Sequence, residues 1–157
     1  MSRSAQVFGA LLRNRRFVRA PIGLYRHGLG WLFGQRTLML EHKGRTSGLP
    51  RYVVLEVVDR PAPDRYLVVA GFGERAQWLR NVRADPHVRV SVGTRRAAPA
   101  LATELDRAGA DEAIAAYARK RPHTWAMLRD TMEQALGTPV DTLPIVALDL
   151  AAGAVRA

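Results

Sequence analysis

From Thr37 onward the chain is a succession of short β-branched and apolar runs, each cut off by glycine, proline or aspartate. That punctuation leaves room for little except a small sheet of strands joined by tight turns. Thr37–His42 reads as a strand, Lys43–Pro50 as a tight loop and Arg51–Arg60 as a second strand, before Pro61–Asp64 turns the chain again. Arg65–Gly71 is almost continuously apolar, as in a strand covered on both faces, and it runs into the glycine-bracketed Gly71-Phe72-Gly73. His87–Val92 sets Val88, Val90 and Val92 against His87, Arg89 and Ser91, so one of its sides faces water. Gly93-Thr94 turns it into a partner around Ala97–Leu105, and Leu143–Leu150 makes a closing apolar strand.

Helical spacing interrupts the strands in the same region. Glu74–Ala84 predicts a short helix with its acid in the first turn, stopped at Asp85-Pro86 because a residue before proline avoids the α region. Asp111–Arg121 and His123–Leu136 predict two helices divided by Pro122, the second ended by Gly137. The expected fold is α+β: a mostly antiparallel, six-stranded barrel with flanking helices. A doubly wound sheet is disfavoured, since it needs alternating βα units and a GxGxxG between strand and helix, and neither occurs.

At 157 residues the chain has the length of one domain. It has no cysteine, and its four histidines show no HxxxH or HExxH spacing, so thiol chemistry and a metal site are not expected. Charge narrows the partners. Lysine and arginine number 24 against 14 acids, a formal +10, and seven arginines with no acid fall within residues 1–36. Those residues form a basic amphipathic segment, taken as a unit apart from a domain at 37–157. It has no uninterrupted apolar stretch long enough to span a bilayer and no signal-peptide pattern. A cytoplasmic protein is expected, with residues 1–36 read first as a helix packed on its own domain with solvated arginines and peripheral membrane contact as the alternative. Nucleic acid ranks last among anionic partners, for want of any recognised binding motif.

Two clusters hold the chemistry. Lys43-Gly44-Arg45-Thr46-Ser47-Gly48-Leu49-Pro50-Arg51 packs three cations, two hydroxyls and two glycines into nine residues without an acid, a composition suited to a phosphate or carboxylate. The alternative is a solvated hairpin loop. Ala70-Gly71-Phe72-Gly73, followed by Trp78-Leu79-Arg80-Asn81, offers backbone amides, an aromatic and an amide for a planar heterocycle; plain core packing is the alternative.

Taken together and in this order, Gly44–Arg51 and Trp78-Leu79-Arg80-Asn81-Val82-Arg83-Ala84-Asp85-Pro86 resemble the deazaflavin (coenzyme F420)-dependent nitroreductase and quinone reductase family, over roughly residues 37–105. The resemblance implies a split β-barrel that moves a hydride from reduced F420 to a quinone-like, nitro or other electrophilic apolar acceptor, with no protein nucleophile. It further implies that Lys43, Arg45, Thr46, Ser47, Gly48 and Arg51 hold the cofactor's phosphate and acidic tail, while Ala70, Gly71, Phe72, Gly73, Trp78 and Asn81 line the ring pocket. Tyr117 is the weaker candidate for an acceptor-side catalytic tyrosine, with helix packing beside Ile114 as its other role. The chain departs from the family in running Tyr52-Val53-Val54-Leu55 without a proline, and in carrying Phe72 where relatives have a polar residue. An FMN-binding reductase of the same fold, and a non-catalytic cofactor- or lipid-binding barrel, are the alternative functions; a homodimer is the expected assembly.

Overall fold

The computed structural model describes residues 22–27, 34, 36–140 and 142–151. Its strands are β1 (Thr37–Lys43), β2 (Pro50–Ala62), β3 (Arg65–Val69), β4 (His87–Val92), β5 (Arg95–Glu104) and β6 (Ile145–Leu150). They close into a barrel in the order β1-β2-β3-β6-β5-β4, with every neighbouring pair antiparallel. Among the described residues, the helices α1 (Gln77–Ala84), α2 (Arg107–Lys120) and α3 (Pro122–Leu136) accompany them.

The two-residue period of the strands sorts the side chains into two cores. Leu38 and Leu40 of β1, Tyr66 and Val68 of β3, Val88, Val90 and Val92 of β4, and Val146 and Leu148 of β6 point inward. Helix α1 joins this interior through Trp78, Leu79 and Val82, closing one part of the barrel; burial of Leu79 alone contributes about 1.5 to 3 kcal/mol. The other faces of β3 and β6, carrying Leu67, Ile145 and Ala147, are covered by Ala110 and Tyr117 of α2, with Trp125 and Leu128 of α3 packed alongside. Burial on both sides explains why β3 and β6 are apolar almost throughout. On β4, His87 and Arg89 stay exposed, as the alternation predicts, but Ser91, expected on the same wet side, is buried where its Oγ accepts from the Ala97 N–H.

Several boundaries differ from the expected ones. Glu74–Ala84 is not one helix: Gly73 has φ +58° and opens a 3-10 turn over Gly73–Arg75, Ala76 is extended, and α1 starts only at Gln77. Glu74 therefore leaves the first turn of the helix and instead pairs with Arg83 in its last turn, where Glu104 of β5 also binds. Helix α2 begins at Arg107 rather than Asp111, because the Asp106 side chain caps it by accepting from Gly109 N at 2.7 Å. β5 begins at Arg95, with Ala97 at φ 48° and its N–H donating to Ser91 Oγ at 3.0 Å, a register shift that leaves the expected Ala97 start inside the strand.

The proposed basic segment 1–36 falls largely outside the described residues. Residues 22–26 form a short helical stretch held on β1 by Tyr25, which is 1% exposed and donates from its hydroxyl to the Thr37 carbonyl at 3.0 Å. Among the described residues no helix is long and apolar enough to cross a membrane.

Candidate functional site

The loop between β1 and β2 opens on a cleft of about 1520 Å³ whose walls come from β2, from the 71–78 segment and from α2 and α3. The loop is shaped by its glycines. Gly44 N–H donates to the Leu49 carbonyl at 2.9 Å and Gly48 N–H to the Gly44 carbonyl at 2.8 Å, closing a compact turn that Gly48 enters at φ +70°. A Cβ at Gly44 would lie 2.6 Å from Ser47 Oγ, so any side chain there would have to displace that hydroxyl from its bond with the Leu49 N–H.

Arg45 is then fixed from α1. Its backbone N–H and its Nη1 both donate to Asn81 Oδ1, at 3.2 and 2.8 Å, and its Nη2 donates to Gln77 Oε1 at 2.8 Å. These acceptors are neutral amides. The guanidinium is positioned without being neutralised, and N–H donors remain for an anion. Because arginine only donates, Asn81 must turn its oxygen toward the loop, which sends Nδ2 to His42 Nδ1 at 3.0 Å. His42 Nδ1 must then accept, leaving the ring proton on Nε2. Burial, with Arg51 nearby, lowers the His42 pKa to about 4, so this tautomer holds at neutral pH. His42 continues the inward alternation of Leu38 and Leu40 on β1, a polar residue on an apolar face; that period was the sequence signal for it.

Of the candidate residues, Arg45, Thr46, Ser47, Arg51, Gly71, Phe72, Trp78 and Asn81 line the cleft. Trp78 and Asn81 serve packing as well, at 6% and 5% exposed. Phe72 stands at the lip, 47% exposed, and the N–H groups of Gly71 and Phe72 donate to no backbone carbonyl among the described residues. Ala70 is instead fully buried in the barrel core, and Gly73 faces a smaller depression beside Leu136 and Leu143. Lys43 and Gly48 also lie off the cleft wall, Gly48 acting through its backbone.

The far end of the cleft is apolar, walled by Val54, Val58, Val69, Ile114 and Leu128. In it lies one carboxylate of the cleft, Glu56 of β2, which accepts from the Tyr117 hydroxyl at 3.0 Å. Burial raises the Glu56 pKa; burial and the Glu56 charge push Tyr117 up to about 12, so the phenol keeps its proton. The Tyr117 ring meets Trp125 edge-on, with centroids 6.4 Å apart. The sequence offered Tyr117 but not Glu56, since only the fold brings β2 against α2.

A model of the F420H(2)-dependent quinone reductase family matches residues 16–148. The chain belongs to this family. It is an oxidoreductase that uses coenzyme F420. Among solved structures, this F420-dependent reductase is similar to one described as an F420-H2 dependent reductase, FDR-A, at 22% identity and TM-score 0.54, covering 74% of this chain and 96% of that one. A structure described as a domain-swapped dimer matches at 21% identity and TM-score 0.54, over 74% of this chain and 81% of that one. The haem storage protein HutZ from Vibrio cholerae matches at 16% identity and TM-score 0.52, over 87% and 92%. At these identities the likeness is one of fold, the six-stranded split barrel. No curated protein matches the chain.

The residues of the cleft fit the cofactor of this reductase family. Uncancelled guanidinium groups at one end suit a phosphate and carboxylates, and free backbone N–H groups beside Trp78 suit the edge of a polar planar ring.

Proposed function

We propose that this enzyme reduces an apolar, quinone-like acceptor at the Glu56–Tyr117 end of the cleft, with F420 held at the arginine end. The carrying observation is that a single cleft joins a cationic, hydrogen-bonded mouth to an apolar chamber with a paired acid and phenol. When bound in its reduced form, F420 supplies a hydride. Arg45, Thr46, Ser47 and Arg51 would hold its phosphate and tail, and Lys43 would add charge from the loop's edge. Gly71, Phe72, Trp78 and Asn81 would border the ring, with Ala70, Gly73 and Gly48 setting the backbone around them.

Hydride delivery to a carbonyl carbon or quinone leaves an oxyanion that needs a proton. In this structure the Tyr117 hydroxyl donates to Glu56 Oε1; when Glu56 takes up a proton the bond reverses, Glu56 donates to Tyr117 Oη, and the Tyr117 hydroxyl hydrogen is freed to meet that oxygen. Proton loss from Tyr117 is then replaced from Glu56. Tyr117 is thus the proposed catalytic residue, with Glu56, whose pKa burial raises, as its proposed proton source.

The test is oxidation of reduced F420, followed by its absorbance, with a neutral naphthoquinone, a nitroaromatic and an apolar enone offered separately. The quinone should turn over fastest. Tight F420 binding with no turnover of any of the three would overturn the acceptor assignment, and failure to bind F420 would overturn the assignment of the cleft. Replacing Arg45 and Arg51 by alanine should weaken F420 by about 1.5 to 3 kcal/mol per lost charged contact. The similarity to a domain-swapped dimer supports a homodimer, to be checked by sedimentation.

A further inference from the structure

The N-terminal charge is not wholly separate from the site. Arg26, on the 22–26 helical stretch, lines the same cleft as Arg45 and Arg51, with its guanidinium carbon 5.0 Å from the centre of the Tyr52 ring. Its backbone is fixed from two sides. Arg96 Nη2 of β5 donates to the Arg26 carbonyl at 2.8 Å, and the neighbouring Tyr25 is buried with its hydroxyl on the Thr37 carbonyl. Among the described residues no carboxylate pairs with Arg26, whereas Arg65, Arg83, Arg95, Arg107 and Arg129 each face one. A guanidinium held over an aromatic face is attracted by the ring's π-system, a contact that uses none of its N–H hydrogen bonds.

We infer that Arg26, held over the Tyr52 ring, is a further anion-binding residue of the cleft, placed to take a carboxylate. The inference rests on the cleft being the F420 site. Two molecules in that cleft can bring a carboxylate: the acidic tail of the cofactor, or an acceptor that bears one.

The experiment compares wild type with Arg26→Ala and Arg26→Lys. Three things are measured: F420 affinity, affinity for the tail-less deazaflavin riboside, and KM for a neutral naphthoquinone and its carboxylated analogue. Matching thermal unfolding curves establish that each variant is folded. If the tail is the ligand, Arg26→Ala weakens F420 by about fivefold or more, leaves the tail-less compound unchanged, and is partly rescued by lysine, as expected for loss of one charged contact. If the acceptor is the ligand, only the KM for the carboxylated quinone rises. Unchanged values throughout, or equal losses for tailed and tail-less compounds, would overturn the inference. Failure of wild type to bind F420 would instead strike the cleft assignment beneath it.

Discussion

Asn81 holds Arg45 at two points through one oxygen, accepting from the backbone N–H and from Nη1. A single buried amide on α1 therefore sets both the path of the loop and the direction of its guanidinium. Replacing Asn81 by alanine removes the one acceptor of both bonds and leaves His42 Nδ1 without its donor in a buried place. Thermal or urea unfolding should show a loss of about 1 to 3 kcal/mol. Replacing it by aspartate supplies an acceptor that neutralises Arg45, so F420 affinity, read by cofactor fluorescence, should fall even where the fold survives. Affinity in Asn81→Asp equal to wild type would mean that Arg45 does not meet an anion.

Gly44 faces Ser47 so closely that a Cβ would lie 2.6 Å from its Oγ and force the hydroxyl aside. Gly44→Ala should cost about 1 to 3 kcal/mol through overpacking and weaken F420 by displacing the loop. Removing the obstructing hydroxyl in Gly44→Ala/Ser47→Ala should restore part of the stability relative to Gly44→Ala alone. Denaturant titrations of the three proteins decide this, and a double variant less stable than the single one would place the strain elsewhere.

His42 predicts a slope in stability against pH. Its folded pKa of about 4 lies below the ordinary 6.5, so between those values the unfolded chain binds a proton that the folded one refuses. Stability attributable to His42 is complete above about pH 6.5 and falls as the solution is acidified toward pH 4, by at most about 1.4 kcal/mol per pH unit. His42→Gln keeps an acceptor for Asn81 and does not titrate. Urea unfolding of the two proteins across this window should show a shallower slope for the variant.

The sequence made the barrel legible because its strands carry their own evidence: alternation on β4, apolar continuity on β3 and β6, and turn residues between them. The loop cations and the Trp78–Asn81 face were legible for the same local reason. Glu56, His42 and Gln77 were not, since each acquires its role from a partner 32 or more residues away on another element, namely Tyr117, Asn81 and Arg45. The broken helix at Ala76 was hidden because Glu74 and Arg75 suit a helix, while positive φ at Gly73 and the pairing of Glu74 with Arg83 are tertiary effects.

Glu56 has the opposite sign to His42. Burial raises its folded pKa above the ordinary carboxylate value, so the stability linked to its proton is present at low pH and is lost as pH rises through the raised value. Glu56→Gln should be more stable than wild type at pH 7, with the difference vanishing below about pH 4.5. Tyr117→Phe removes a donor to the carboxylate and should raise the Glu56 pKa further. If Glu56 replenishes the Tyr117 proton, kcat of wild type falls as pH climbs through the Glu56 pKa, and Glu56→Gln flattens that limb while lowering its plateau. A pH–rate profile for quinone reduction unchanged in Glu56→Gln would remove Glu56 from the proton path.

The barrel closes on its own strands, each bonded to two neighbours, and the arginine loop and α1 belong to that closed body. Helices α2 and α3 only cover its outside, yet they supply half the apolar chamber. A change in either helix reopens no strand edge and leaves the Arg45–Asn81 contact intact. Under the proposed reading, acceptor preference is free to diverge by altering two appended helices, while the grip on the cofactor is inherited unchanged.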